Sequence, residues 1–199
     1  GDLRFTAFRP SYTYGPGVLF DSIWGRDPCL VDRIRKGRPL VVPGDGLNLW
    51  HPGFIDDVGE AIALSAGRES TFGKVYNANG PRVMTHDEYF RSMAEGLGAP
   101  GVELVHVPTE WLMAALPEEN TRFLRDIFRH HVAFDTSALR RDVPEWSPKV
   151  DHVEGVARTA AWLDREGKNR DCGERPLDDR VLQAFSRAQA LFLSDMDEW

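Results

Sequence analysis

The sequence predicts a mixed α/β fold, on three observations. Apolar runs switch between strand-like and helical spacing along the chain, a capping box opens one of the helical runs, and glycine or proline separates the segments. The order reads strand, helix, strand, strand, helix, strand, helix, strand, then helices, with no internal repeat and no low-complexity segment.

Leu3 to Phe8 reads as a strand with Leu3, Phe5 and Phe8 apolar, and Arg9-Pro10 ends it because proline cannot donate to a central ladder. Gly15, Pro16 and Gly17 mark the loop that follows. Pro28 to Lys36 is a short helix stopped by Gly37; Pro39 to Pro43 is a strand turned by Gly44-Asp45-Gly46; Leu49 to Ile55 is a second extended piece. Asp56-Asp57 open a helix to about Ala66, where acidic side chains suit the positive end of the helix dipole. Val58, Ala61, Ile62 and Ala66 share helical spacing there, and Asp56 and Asp57 read as helix-opening residues more than as an acid/base dyad. Lys74 to Ala78 is a strand with Val75 and Ala78 apolar.

Thr85-His86-Asp87-Glu88 matches the capping box, so a helix runs from about Thr85 to Leu97 and Gly98 closes it. Val102 to Val107 alternates as a strand, and helical spacing returns over Thr109 to Leu116 and Arg122 to Phe128. Asp135-Thr136-Ser137 can cap a short helix carrying Leu139 and Val143, and Trp146-Ser147-Pro148 is a turn. Val150 to Arg165 is an amphipathic helix with Val153, Val156, Ala160 and Leu163 on one stripe. Gly167 to Pro176 reads as a polar linker. Leu177 to Phe192 reads as a last helix with Val181, Phe185, Ala188 and Phe192 on one face. The expected division is therefore residues 1–165 and an extension over 166–199, whose amphipathic helix suits a cover for the core or a homodimer contact.

Composition narrows the function classes. Of 199 residues, 42% are hydrophobic and 28% charged, which is ordinary globular usage and argues against wholesale disorder. The net charge of −7 argues against broad nucleic-acid binding, which needs a basic face. No run approaches the ~18 apolar residues of a membrane span, and Gly1-Asp2-Leu3-Arg4 opens neither a signal nor a transit peptide. Cys29 and Cys172 form no CxxC arrangement, so two reduced thiols in a cytoplasmic protein are expected instead of a disulfide framework or a zinc site. The chain enters a strand almost at once and without Met, from which an upstream segment is expected.

Gly96-Leu97-Gly98-Ala99-Pro100-Gly101 satisfies the dinucleotide fingerprint as a string. Its mechanism needs a strand before and a helix N-terminus after, so that amides point at a pyrophosphate. Here a helix precedes and a strand follows, so the string reads as a helix stop and a turn. A catalytic tyrosine with a lysine four residues on is also absent, since Tyr12, Tyr14, Tyr76 and Tyr89 are followed at that offset by Pro16, Val18, Gly80 and Met93. His130-His131 with Asp135 offers no third ligand at a known metal spacing.

A series of segments in order carries a specific resemblance. Arg9-Pro10-Ser11-Tyr12-Thr13-Tyr14-Gly15-Pro16-Gly17 resembles the RP-x-x-x-YGPG segment of extended short-chain dehydrogenases/reductases, the NAD-dependent epimerase/dehydratase family. Pro39 to Gly46 resembles that family's strand and turn, and Trp50-His51-Pro52-Gly53-Phe54-Ile55-Asp56-Asp57-Val58 its F-V-H-V-D-D-V run. Gly73-Lys74-Val75-Tyr76-Asn77-Ala78-Asn79-Gly80 followed by Thr85 resembles G-x-x-Y-N-x-G…T. Asp135-Thr136-Ser137-Ala138, Trp146-Ser147-Pro148 and Thr159-Ala160-Ala161-Trp162 resemble the closing segment. The resemblance covers about residues 3 to 165 and leaves 166–199 unmatched.

The resemblance implies the last strands of a Rossmann-like parallel sheet plus the small mixed α/β substrate-binding domain, followed by a C-terminal helical extension. It implies NAD or NADP, bound mainly by a missing N-terminal half that would also carry the catalytic pair. Pro10, Ser11 and Tyr12 would line the nicotinamide, and Tyr14, Trp50, His51, Asn77 and Arg129 the substrate pocket. Nucleotide-sugar members place an arginine just before the F-V-H-V-D-D run. Leu49-Trp50-His51-Pro52 stands there instead, so a different small-molecule substrate is expected, with Trp50 either a pocket wall or a packing residue. Surface use of Arg129 remains a rival to a substrate role. Two other function classes stay open. One is an RNA-binding module, as in some relatives of the family. The other is a split subunit that docks on a separate Rossmann chain through an open sheet edge.

Overall fold

In a computed structural model, described over residues 4–196, short parallel strands are set among helices. β1 (Thr6–Arg9) stops at Pro10 as expected; Leu3, the expected start of this strand, lies outside the described residues. β2 (Thr13–Tyr14) sits in the loop, and a hairpin of β3 (Asp21–Ser22) and β4 (Gly25–Arg26) leads into α1 (Leu30–Arg35). β5 (Leu40–Pro43) is buried along its length. The next extended piece is two strands, β6 (Leu49–Trp50) and β7 (Gly53–Phe54), because Pro52 between them has no N–H to donate.

α2 (Ile55–Ser65) buries Asp57, Val58, Ala61 and Ser65, and this rotation leaves Ile62 49% exposed, off the expected stripe. β8 (Lys74–Asn77) follows, then β9 (Met84–Thr85) and α3 (His86–Gly96). The capping box forms as read: the Thr85 hydroxyl accepts from the Glu88 amide at 3.1 Å, and the Glu88 carboxylate accepts from the Thr85 amide at 2.7 Å. Gly98 turns the chain with φ +65° after α3, so the glycine string is a helix stop. β10 (Leu104–Val107), α4 (Thr109–Ala115) and α5 (Glu118–Phe123) come next; α5 runs on as a wide π-type turn over Leu124–Phe128, which buries Leu124 and Phe128. α6 (Ser137–Asp142), α7 (His152–Arg165) and α8 (Leu177–Met196) complete the chain.

Three pairings are parallel: β1 with β8, β5 with β10, and β2 with β7. In the first, Arg9 stands opposite Asn77, so the chain leaves both strands at the same edge. An aromatic core of Tyr12, Tyr14, Trp50, Phe54, Tyr89 and Phe128 lies beside this edge, and a smaller core joins Val58, Ala61, Tyr76, Leu139, Val143 and Trp146. Asp57 links α2 to the closing segment, its carboxylate accepting from the Lys149 and Val150 amides at 3.1 and 3.0 Å.

The segment read as a polar linker is held down. The Arg170 amide donates to Pro28 O at 2.9 Å, the Cys172 amide to Asp32 at 2.8 Å, and Lys36 bridges Asp32 and Asp171 at 2.8 and 2.7 Å. α8 starts on the body through Trp24 Nε1 donating to Asp178 at 3.2 Å and Arg33 paired with Asp179 at 2.7 Å. Among the described residues no helix is long and apolar enough to cross a membrane.

Candidate functional site

Parallel strands direct their following loops to one edge, where ligands of such sheets bind. Pro10-Ser11 leave β1 there and Ala78-Asn79-Gly80 leave β8. The Ser11 hydroxyl donates to His51 O, and the Asn79 side-chain amide reaches both the Ser11 hydroxyl and His51 O, the latter at 3.0 Å. His51 Nε2 lies 3.0 Å from Gly80 O and Nδ1 3.2 Å from the Phe134 amide. A carbonyl only accepts and an amide N–H only donates, so the ring carries its proton on Nε2. Burial also lowers the His51 pKa from its ordinary value. His51 is therefore a neutral strut that ties together three loops. Gly80 is required where these loops cross: its amide donates to Pro52 O at 2.9 Å, and a Cβ would run into that oxygen.

This knot floors an open cavity of about 260 Å³ lined by His51, Gly80, Arg82, Phe134, Asp135 and Arg140, with Ser137 at its side. Asp135 is turned inward on its own loop, accepting from the Ser137 amide and hydroxyl, both at 2.8 Å. These bonds hold its carboxyl below the usual range. The lining therefore offers two guanidinium groups, the Asp135 carboxylate and an aromatic ring, while both His51 nitrogens are already engaged. Such a set binds and orients a polar or anionic small molecule.

The structure brings some expected site residues here and places others elsewhere. Pro10 is exposed and Ser11 half-buried at the strand edge. Tyr12 and Tyr14 are core residues with rings stacked at 5.9 Å, and burial raises both phenols above their ordinary pKa. Trp50 is 2% exposed and packs on Phe128 and His86 at ring distances of 5.1 and 6.1 Å. Asn77 is half-buried beside the cavity and donates to Asp135 O at 3.1 Å. Arg129 is exposed in a separate depression with Asp45, Asn48, Thr109, Glu110 and His130 that shares no residue with the first. Sequence reasoning missed Arg82, Phe134 and Arg140 as lining residues. Asn79 lay within the quoted Asn77-Ala78-Asn79-Gly80 run but was not singled out.

Beyond Tyr14 lies a small, partly open space of about 70 Å³, also lined by Phe54, Met84 and His152. The Ser92 hydroxyl gives its proton to Tyr89 O at 3.0 Å, so His152 Nδ1 must donate to Ser92 Oγ at 2.6 Å. Burial holds this imidazole neutral, with its pKa lowered to about 3.

Fold and geometry together give an α/β domain with an open cavity near the carboxyl edge of the β1–β8 pair. No family model matches the chain. It is 26% identical over 184 residues to the chloroplast stem-loop binding protein of 41 kDa b of Arabidopsis thaliana, covering 90% of this chain and 45% of that protein. It is 28% identical over 158 residues to 2'-dehydrokanamycin reductase of Streptomyces kanamyceticus, covering 79% and 44%. UDP-glucose 4-epimerase of Thermotoga maritima superposes with a TM-score of 0.58 at 22% identity, covering 82% of this chain and 47% of that one. The chain thus spans a little under half the length of the curated relatives it matches. In fold and in motif order it corresponds to the C-terminal half of the extended short-chain dehydrogenases/reductases.

Proposed function

We propose that this chain is the substrate-binding half of a NAD(P)-dependent epimerase, dehydratase or reductase that acts on a small molecule other than a typical nucleotide sugar. The observation that carries the reading is the cavity over the Ser11–His51–Asn79 knot, at the edge where β1 and β8 end together. Pro10, Ser11 and the backbone of Tyr12 suit the face of a nicotinamide, which would supply hydride transfer when bound. Both Pro10 and Ser11 are accessible at that edge, while the Tyr12 ring is held in the core. Arg82 and Arg140 suit an anionic group on the substrate. The arginine that resembles a phosphate clamp in nucleotide-sugar members is replaced by buried Trp50, which argues for a substrate without that phosphate.

A second part of the polypeptide, or a separate chain, would supply the glycine-rich turn and the tyrosine–lysine pair. Phe5 and Val75, each 46% exposed, leave apolar surface on the β1–β8 pair, and parallel sheets are normally covered on both faces. Two free cysteines suit a cytoplasmic setting. Turnover assays with NAD(P) on the 199-residue chain and on its assembly with the nucleotide-binding half test this. Turnover is expected from the assembly alone, and Arg140→Ala is expected to raise KM more than it lowers kcat. Oxidation or epimerisation by the 199-residue chain without that half would overturn the reading.

Kinship with a stem-loop binding protein favours one second reading, an RNA-binding module. The net charge of −7 opposes it, and filter binding of stem-loop RNA across a salt series decides: salt-sensitive retention supports it and none at low salt removes it.

A further inference from the structure

We infer that α8 is a self-association element: two copies of this chain pair through antiparallel α8 helices, each inserting its exposed end into a groove on the other. The groove, of about 630 Å³, runs between α4 and the first half of α8, over Trp111, Leu116, Val181, Ala184 and Ala188. Arg180 and Arg187 stand on its rim, and among the described residues neither makes an ion pair. The groove therefore suits an apolar segment that carries negative charge.

The same helix provides such a segment. Val181, Phe185 and Ala188 are partly buried against the body, and the stripe continues at helical spacing to Phe192. From Leu191 to Met196 every residue of the helix is exposed: Leu191 is 63% accessible, Phe192 65%, Leu193 62% and Met196 51%. Consecutive large apolar side chains at such exposure mark an interaction surface, in contrast to isolated ones. Asp195 lies among them.

A two-fold interface uses one patch twice, so a groove and its occupant on one helix are self-complementary. An antiparallel dyad between Arg187 and Ala188 sets Arg180 of one copy against Asp195 of the other. It sets Ala184 against Leu191, and Phe192 then reaches the groove. Arg187 stays at the edge, where its stem covers apolar surface and its head remains in water. Each contact occurs twice, so the exposed apolar groups nearest the shared face (Trp111, Leu191 and Phe192) are withdrawn from water together in both copies.

Sedimentation of the 199-residue chain over a concentration series tests this. A reversible monomer–dimer equilibrium is expected. Phe192→Asp should abolish the dimer. Arg180→Glu and Asp195→Arg should each weaken it by about tenfold or more, because like charges then meet twice across the interface. The double variant R180E/D195R should recover most of the loss. All three positions are solvent-facing, so circular dichroism and thermal midpoints should stay at wild type and separate misfolding from lost association. A monomer at every concentration overturns the inference. So does a dimer indifferent to these changes, and so does a charge swap that fails to restore pairing.

Discussion

At the residue scale, buried histidines give the clearest chemistry. His86 is fully buried, stacked on Phe128 with ring centroids 3.8 Å apart, and neither ring nitrogen has a partner among the described residues. Burial lowers its pKa to about 4. In the unfolded chain a histidine titrates near 6.5. Between these values the unfolded chain binds the extra proton, so stability is full above about pH 6.5, falls as pH drops through the window, and levels off below about pH 4. His152 acts with the same sign. His86→Phe keeps the stack and removes the proton site. Urea unfolding at neutral and acidic pH should show the variant losing about 3 kcal/mol less than wild type across the window. An unchanged pH slope would show that His86 is not held neutral.

At the element scale, the contact of α3 with α7 and of α7 with β2 rests on small residues. A Cβ on Gly155 would press on the Tyr14 hydroxyl and come within 2.9 Å of Phe54 Cδ2. Gly155→Ala should therefore destabilise by about 1–3 kcal/mol, as overpacking does. Gly59, on the exposed face of α2, has nothing within 4 Å of its would-be Cβ, and Gly59→Ala should stabilise by about 0.5–1 kcal/mol. Thermal unfolding of the pair reads both signs; equal shifts would remove the packing argument. Elements like α3 were legible because their signals are local. Thr85 and Glu88 are three residues apart and need nothing else to cap a helix. The wide turn at Leu124–Phe128 was not, because it depends on what packs against it.

At the scale of the whole molecule, β1 meets β8 on one side, and its backbone is the natural place for a sheet to continue. Hydrogen exchange tests this. The amides of Thr6 to Phe8 that do not serve the β8 ladder should exchange freely in the 199-residue chain and become protected with the nucleotide-binding half. Protection already complete in this chain would mean that the edge is covered by other means.

The α/β order, the capping box and the end of β1 at Pro10 could all be read from the chain, because each is a matter of near neighbours along it. The family resemblance set Ser11 beside the nicotinamide and His51 in the substrate pocket, and the structure joins the two by a hydrogen bond. Only the tertiary structure decided that His51 is a strut with both nitrogens occupied, that Trp50 and Ile62 face core and solvent respectively, and that Arg129 stands apart from the cavity. Only the tertiary structure brought Arg82, Phe134 and Arg140 to His51, across 31, 83 and 89 residues of chain. The reason is physical. Periodicity and caps act within a few residues, whereas a cavity is made by loops that meet because parallel strands deliver them to a common edge.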